Sequence, residues 1–480
     1  MMHENVDQLC AKLDEELKKR GLSRRDALKL AGIGTASFML NPSEAAAATK
    51  LEAADVKGKI VIVGGGAAGC SIASLLAKKI SNPDITIIEP NPQSVSYQPG
   101  QTLIAAGVWE KDDIMANNED FFPSEAKWVK DSVTEFDPDK NRVLTQKSGE
   151  IGYDILIVAT GLQLNYSAID GLSENIIGTN GIGSIYFAEG AVKTWQLMQE
   201  FVASAKSGKK VQGAFTHPNT PIKCGGAPKK IMFLAHDRLV EAGARSNAEL
   251  TFYPNGGSMF GVPEYHESIL AQFKAKDMKW QYKHNLIAVD PGKKVATFEH
   301  HYLIKGEWDP DIEEYEMIPQ VKNVEVPFDF LHVTPPMSAP DVVKNSPLSW
   351  KKGSAAAGGW VEVEKETLQH TRYPNVFALG DVAGIPMGKT GGSVRKQYTV
   401  VAQNIIDFLN QKKPSAKYGG YTVCPLITSI GTVMLLEFDW SAKPTPSFPL
   451  DPTKERWIWW ILKVYLLKPM YFYGMLKGRA

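Results

Sequence analysis

The chain has 480 residues and a formal net charge of zero, which gives no electrostatic footing for nucleic acid as a main partner. Hydrophobic residues make up 44% and charged residues 22%, the balance of a folded globular protein, and the length suits two or three domains rather than one core. Four cysteines are too few for a disulfide scaffold, and no C-x-x-C or H-E-x-x-H spacing marks a metal site.

The N-terminus reads as an address. Ser23-Arg24-Arg25-Asp26-Ala27-Leu28-Lys29 has the pattern of a twin-arginine export signal. A mildly apolar run to Leu40, Asn41-Pro42 and the small residues Ala45–Ala48 follow it. Residues 1–49 are therefore expected to be an export leader, the other reading being an amphipathic helix with two chance arginines. Glu4, Asp7, Asp14, Glu15 and Glu16 make it too acidic for a mitochondrial transit peptide. A leader of this kind places the protein on the periplasmic face of a bacterial cytoplasmic membrane.

Lys59–Val63 is a β-branched run of the sort found in buried parallel strands. A glycine-rich turn, a helical stretch over Cys70–Lys79 and a second strand, Ile85–Ile88, complete a βαβ unit. Tyr153–Ala159 and Val376–Leu379 read as further buried strands, the second followed by a helix over Val394–Leu409. Between them strand-like segments recur, among them Lys230–Leu234 and Leu250–Tyr253. His300 and His301 sit in a polar stretch expected to be a solvated loop.

Gly64-Gly65-Gly66-Ala67-Ala68-Gly69 matches G-x-G-x-x-G. The motif is weak alone, but here it follows a strand, opens a helix and has Glu89 at the end of the next strand. Gly64 permits the tight turn, Gly66 lets a pyrophosphate approach the backbone, and Gly69 allows close helix–strand packing. The helix N-terminus offers free N–H groups to phosphates, and Glu89 can bind ribose hydroxyls. The middle of the chain carries no second G-x-G-x-x-G, so a nicotinamide is not the expected electron donor.

Cys224 lies in the loop Thr220–Lys229 and Cys424 in Tyr421–Leu426, both turn-like and flanked by proline. Lys223, Lys229 and Lys230 can lower a thiol pKa near Cys224. Cys70, inside the helix after the glycine turn, reads as core packing. Cys10 precedes the arginine pair.

Ala159-Thr160-Gly161 and Val376-Phe377-Ala378-Leu379-Gly380-Asp381 resemble the later signatures of glutathione-reductase-like flavoproteins with two dinucleotide folds. The segments around Tyr97-Gln98-Pro99, Cys224, Phe330–Met337, Trp360–Pro374, Gly380-Asp381 and Cys424-Pro425-Leu426 together resemble the sulfide:quinone oxidoreductase family, on the branch that includes the mitochondrial enzyme. The resemblance covers nearly everything after the leader. It implies an α/β fold of two Rossmann-like domains, the FAD domain being discontinuous, with a C-terminal membrane-facing helical segment. It implies an FAD site that includes Gln98, Val133, Thr160, Gly161, Gly380, Asp381, Lys389 and Thr390 beside the glycine turn and Glu89. Lys389 is placed to stabilise negative charge on reduced flavin. It further implies a Cys224–Cys424 disulfide opened by sulfide, with the sulfane sulfur on Cys424 and the donating thiolate on Cys224. The electrons go to a membrane quinone, and the sulfur goes to sulfite, a thiol or another sulfide. No cysteine lies between Cys70 and Cys224, so the FAD is expected to be non-covalent.

The last segment concentrates aromatics: Trp457, Trp459, Trp460, Tyr465, Tyr471, Phe472 and Tyr473. Lys463, Lys468 and Pro469 interrupt the apolar run. Two short interfacial helices with lysines among the headgroups are therefore expected, rather than a spanning helix. A helix buried against another subunit is the other reading, and a homo-oligomer is compatible with it. The expected organisation is a leader (1–49), an FAD domain in two parts (50–170 and 326–410), a second Rossmann-like domain (171–325) and a C-terminal region (411–480). Two other functions stay open: a flavoprotein subunit passing electrons to a cytochrome c, and a non-catalytic flavin or sulfur carrier.

Overall fold

The computed structural model describes residues 6–23, 26, 51–309 and 313–479. The arginine pair and the stretch 27–50 of the expected leader lie outside the described residues. Ahead of them a helix, α1 (Val6–Lys19), buries Leu17, and Arg20 beyond it lies 5.0 Å from the ring of Trp457 in the C-terminal segment.

Five parallel strands form the first sheet, in the order Val376–Ala378, Ile155–Val158, Lys59–Val63, Asp84–Ile88, Ala126–Val129. Ile60, Val61, Ile62 and Val63 pair in register with Ile85–Ile88 on one side and Ile155–Val158 on the other. Both faces are covered, so these strands are apolar without alternation. One cover is α2 (Ala67–Lys79), packed against a helix near the chain's end described below. Because Val376–Ala378 joins the edge of this sheet, the sheet is assembled from two stretches separated by more than two hundred residues.

The second sheet is also parallel, ordered Lys279–Trp280, Ala248–Pro254, Val211–His217, Phe330–His332, Ile182–Gly183. Two helices, α3 (Ala188–Lys206) and α4 (Ala227–Glu241), pack against it. The stretch expected as a strand at Lys230–Leu234 lies in the first half of α4. Ile231, Met232, Phe233 and Leu234 are all fully buried, because the helix is enclosed between this sheet and a C-terminal hairpin. An apolar run buried on every side has no periodicity by which helix and strand differ.

A long antiparallel hairpin, Val295–Asp309 with Glu314–Pro327, extends from His284–Asp290. His300 and His301 lie in it rather than in a loop. His300 stacks on His284 at 4.1 Å and on Tyr302 at 5.4 Å.

After Val376–Ala378 come the turn Gly380–Val382 and α5 (Gly391–Leu409), the partner of α2. The hairpin Thr422–Ser429/Thr432–Phe438 then lies over α4. The last segment is a helix broken by wide turns, running through Trp457–Ile461, Leu462–Leu466, Leu467–Pro469 and Met470–Met475. Among the described residues no helix is long and apolar enough to cross a membrane. Much of the segment packs inward: Trp459, Trp460, Phe472 and Leu476 are buried, and Tyr471 donates to the Val95 carbonyl at 2.8 Å.

Candidate active site

A cavity of 550 Å³ begins at the glycine turn and ends against the C-terminal segment. At one end stand Gly66, Ala67, Ala68, Glu89 and Asn91, where Lys59–Val63 meets α2. Gly64 has φ +101°, and a Cβ on it would lie 2.4 Å from the Ala159 carbonyl oxygen. A Cβ on Gly69 would lie 1.8 Å from the Gly64 oxygen, so strand, turn and helix close only with glycine at both positions. No side chain caps the start of α2, whose first N–H groups are left for a ligand. Glu89 accepts the Gly65 and Asn91 amides, both at 2.7 Å, and burial raises its carboxyl pKa.

Further along lie Thr160 and Gly161, then Gly380, Asp381, Lys389 and Thr390. The Thr160 hydroxyl is buried with no protein partner. Lys389 donates to the carbonyls of Asp381 (2.5 Å) and Ala383 (3.3 Å) and lies 3.6 Å from the Trp360 ring centre. Burial pulls its ammonium down to about 8. Its first role is thus to hold the Gly380 turn. Gln98 lines the same cavity and accepts from Lys223 at 2.7 Å. An uncapped helix start, a glycine cradle and an orphaned hydroxyl in one cleft fit a dinucleotide such as FAD.

The two cysteines meet at the middle of this cavity, brought from positions 200 residues apart. Cys224 stands in the loop that joins Val211–His217 to α4, and Cys424 stands in the hairpin laid over α4. Their sulfurs are 4.0 Å apart. Cys224 adopts φ +56°, a left-handed conformation costing a non-glycine residue about 1 kcal/mol. Its amide donates to the Lys389 carbonyl at 3.0 Å, and the Ala227 amide donates to its carbonyl at 2.8 Å. Gly226 makes room for the pair: a Cβ there would lie 2.4 Å from the Cys424 sulfur.

The two thiols are not equivalent. Cys224 is on the cavity wall, whereas from the other strand only Val423 and Pro425 reach the wall, with Cys424 behind them. The Lys230 ammonium is 3.2 Å from the Cys224 sulfur. The Cys424 thiol's hydrogen bond, with the Lys230 charge, holds the Cys224 pKa well below the usual thiol range against the cost of burial. Cys424 is pushed well above it by the same hydrogen bond, by burial and by the Cys224 charge. The pair is thus polarised, Cys224 toward the thiolate and Cys424 toward the thiol.

Cys70, by contrast, is fully buried in α2 and pushed up to about 12 by desolvation. It packs, as its sequence position suggested.

The profile of the pyridine nucleotide-disulphide oxidoreductase family matches residues 58–189. The chain is 38% identical to the mitochondrial sulfide:quinone oxidoreductase of Mus musculus and 40% identical to that of Dictyostelium discoideum. Each alignment covers 88% of this chain and 86% of the relative. The chain belongs to the sulfide:quinone oxidoreductase family. The X-ray structure of the sulfide:quinone oxidoreductase from Aquifex aeolicus has the same fold, with a TM-score of 0.69 at 21% identity over 88% of this chain and 92% of that one. The names of the eukaryotic relatives place them in mitochondria, so they lend no support to the periplasmic location expected from the leader.

Of the residues expected in the site, Gly64, Gly65, Gly69, Val133 and Cys424 are not on the cavity wall; the others are. Gly64, Gly65 and Gly69 shape the turn from behind, and Val133 starts the strand Val133–Asp137 with its side chain in the core. The sequence reading missed Lys463. It is not among headgroups: it is buried, lines the cavity, and donates to the Pro99 carbonyl at 3.0 Å. Burial and the Lys230 charge pull its ammonium down to about 7. A lone lysine in an aromatic run was the available signal. Lys468, expected beside it in the headgroups, pairs with Asp113 at 3.3 Å.

Proposed function

We propose that this protein oxidises sulfide through a Cys224–Cys424 disulfide and passes the electrons by way of FAD to a membrane quinone. The observation that carries the reading is the cysteine pair, 4.0 Å apart with one sulfur on the wall of the dinucleotide cavity.

With the pair oxidised, hydrosulfide adds to the Cys424 sulfur. A new S–S bond forms there, the Cys224–Cys424 bond breaks, and Cys224 leaves as a thiolate. Lys230, within 3.2 Å, stabilises that leaving group, which is why attack at Cys424 is favoured over attack at Cys224. The persulfide on Cys424 gives its proton to solvent and its outer sulfur to a nucleophile such as sulfite, a thiol or a second sulfide. Cys424 is left as a thiolate, and closing the two thiolates to a disulfide releases two electrons. FAD, when bound along the cavity by the α2 N-terminus, Glu89, Thr160 and Asp381, supplies the acceptor for that pair and a relay to quinone. Among the described residues Cys224 is the sole thiol on the wall, which favours non-covalent flavin.

Leu462, Leu467, Met470, Tyr471 and Met475 give the far end of the cavity an apolar wall suited to a quinone ring. Outside it, half-buried Trp457, Ile458, Tyr465 and Leu466 and the half-exposed Tyr473 form a surface suited to a membrane interface.

Cys224→Ser and Cys424→Ser are each expected to keep their flavin and lose sulfide-driven quinone reduction by more than about a hundredfold, roughly 3 kcal/mol of transition-state stabilisation. Cys70→Ser is expected to keep turnover. Near-normal turnover in either of the first two variants, in a stopped-flow assay of flavin bleaching by sulfide, removes the disulfide mechanism.

A further inference from the structure

The outward side of the C-terminal segment is the surface suited to a membrane, and another part of the chain already lies on it. The helix α1 (Val6–Lys19) packs against Leu462–Leu466. Leu17 is 1% exposed, a burial that a helix alone in water cannot give, and Leu13, one turn earlier on the same face, is half-buried. Arg20, just past the helix, lies 5.0 Å from the ring of Trp457 and is held by Glu16 at 3.2 Å. Trp457, Ile458, Tyr465 and Leu466 are accordingly half-buried rather than open to water.

The charges of the two partners differ. Over residues 11–19 three acids, Asp14, Glu15 and Glu16, balance three lysines, Lys12, Lys18 and Lys19. That stretch of α1 lacks the cationic excess of a helix that binds anionic headgroups. From Arg456 to Ala480 the chain holds five cationic side chains and no acidic one, with Lys477 and Arg479 at the surface. An anionic bilayer is therefore drawn to the C-terminal segment and not to the helix on top of it. The hold of α1 is also slight. Across residues 11–23 Leu17 alone is fully buried. A helix this short is marginal in water without the packing it finds there. The chain joining Asp26 to Leu51 can extend to about 80 Å, so α1 can leave its place without moving the body.

We propose that α1 is a displaceable cover on the membrane-facing side of the C-terminal segment, docked there in water and exchanged for lipid at an anionic bilayer. The proposal rests on the membrane reading of that segment. Cover and lipid compete for the face formed by Trp457 and Leu462–Leu466, so each lowers the occupancy of the other. In water the cover keeps an aromatic surface from associating with other molecules.

The test uses the full chain with its flavin and vesicles of equal parts phosphatidylcholine and phosphatidylglycerol. Leu17→Ser removes the buried side chain without changing charge. It is expected to tighten co-sedimentation by about tenfold, the factor by which a cover docked nine-tenths of the time weakens apparent affinity. Arg20→Ala should act in the same direction and less. Flavin content and reduction of a water-soluble quinone analogue should stay at the parent's level in both. Hydrogen exchange on the parent gives a second readout: when vesicles bind, the amides of Val6–Lys19 should exchange faster while those of Trp457–Leu466 do not. Binding of Leu17→Ser that equals the parent's, or is weaker, overturns the cover and makes α1 neutral or part of the lipid-binding face. Unchanged α1 exchange on vesicle-bound parent overturns it too, and leaves the membrane reading standing. If neither protein binds vesicles, the membrane reading falls and the cover falls with it.

Discussion

Glycines 225 and 226 stand side by side in the redox loop and differ in what surrounds them. Nothing lies within 4 Å of a Cβ built on Gly225, whereas one on Gly226 meets the Cys424 sulfur at 2.4 Å and Leu426 at 3.2 Å. Gly226→Ala is therefore expected to push the sulfurs apart and slow sulfide turnover by about tenfold or more. It should also leave both thiols free to a titrating reagent under mild oxidation, whereas Gly225→Ala should close its disulfide normally. The fully buried His332 and the half-buried His217 make a second prediction at this scale. Desolvation draws His217 and His332 down to about 3, so both are neutral in the folded protein. The unfolded chain binds these protons near pH 6.5 and the folded chain does not until about pH 3. Stability therefore falls as pH drops through that window, by up to about 1.4 kcal/mol per pH unit per histidine. His332→Phe, at a site where Tyr186 and Phe215 already flank the ring, should flatten the dependence of denaturant midpoint on pH between 6.5 and 4.

The C-terminal segment was expected to lie on a membrane, and the fold gives it a second task. Its inner face is a wall of the cavity, and its side chains anchor to distant carbonyls: Lys463 to Pro99, Tyr471 to Val95. The Ser74 hydroxyl donates to Leu476 in return. Trp459, Trp460, Phe472 and Leu476 are buried, each by about 2–3 kcal/mol of transfer free energy as an upper estimate. Together these rival the net stability of a typical domain. Deleting Glu455–Ala480 is thus expected to cost flavin and solubility, read as lost flavin absorbance and aggregation. Outward substitutions separate the two tasks. Tyr473→Glu combined with Leu466→Glu should reduce co-sedimentation with anionic lipid vesicles while flavin content and melting temperature stay within a few degrees of the parent. Unchanged co-sedimentation would leave the segment a wall only.

Across the whole molecule, the redox loop occupies the place where a nucleotide turn stands in a Rossmann unit. Val211–His217 runs into Thr220–Gly226 and then into α4, a strand–turn–helix like that of Lys59–Val63, Gly64–Gly66 and α2. In the second unit the turn carries Cys224, and the buried Lys229 and Lys230 follow it in the first turn of α4, in place of a glycine cradle. NADH is therefore expected not to bleach the flavin on the timescale at which sulfide does. In a stopped-flow comparison, bleaching by NADH at a similar rate would oppose this reading. With Cys224 engaged in the pair, no other thiol among the described residues is on the wall to tether the flavin. Acid precipitation should leave the yellow colour in the supernatant.

Local patterns were legible without coordinates because local sterics set them. The glycine turn and its acidic partner, the apolar parallel strands and Cys70 each show their pattern within a short stretch, although the contacts that fix them, such as Gly64 against Ala159, reach much further along the chain. The cysteine pair was recognised through resemblance, since no local rule joins positions 224 and 424. Only the tertiary structure decided what long-range burial controls. It made α4 a helix, because enclosure on all sides erases periodicity. It put Val133 in the core and off the cavity wall. It also turned Lys463 from a headgroup lysine into a cavity one, because a broken helix can fold its charged residue inward once a carbonyl such as that of Pro99 is there to receive it.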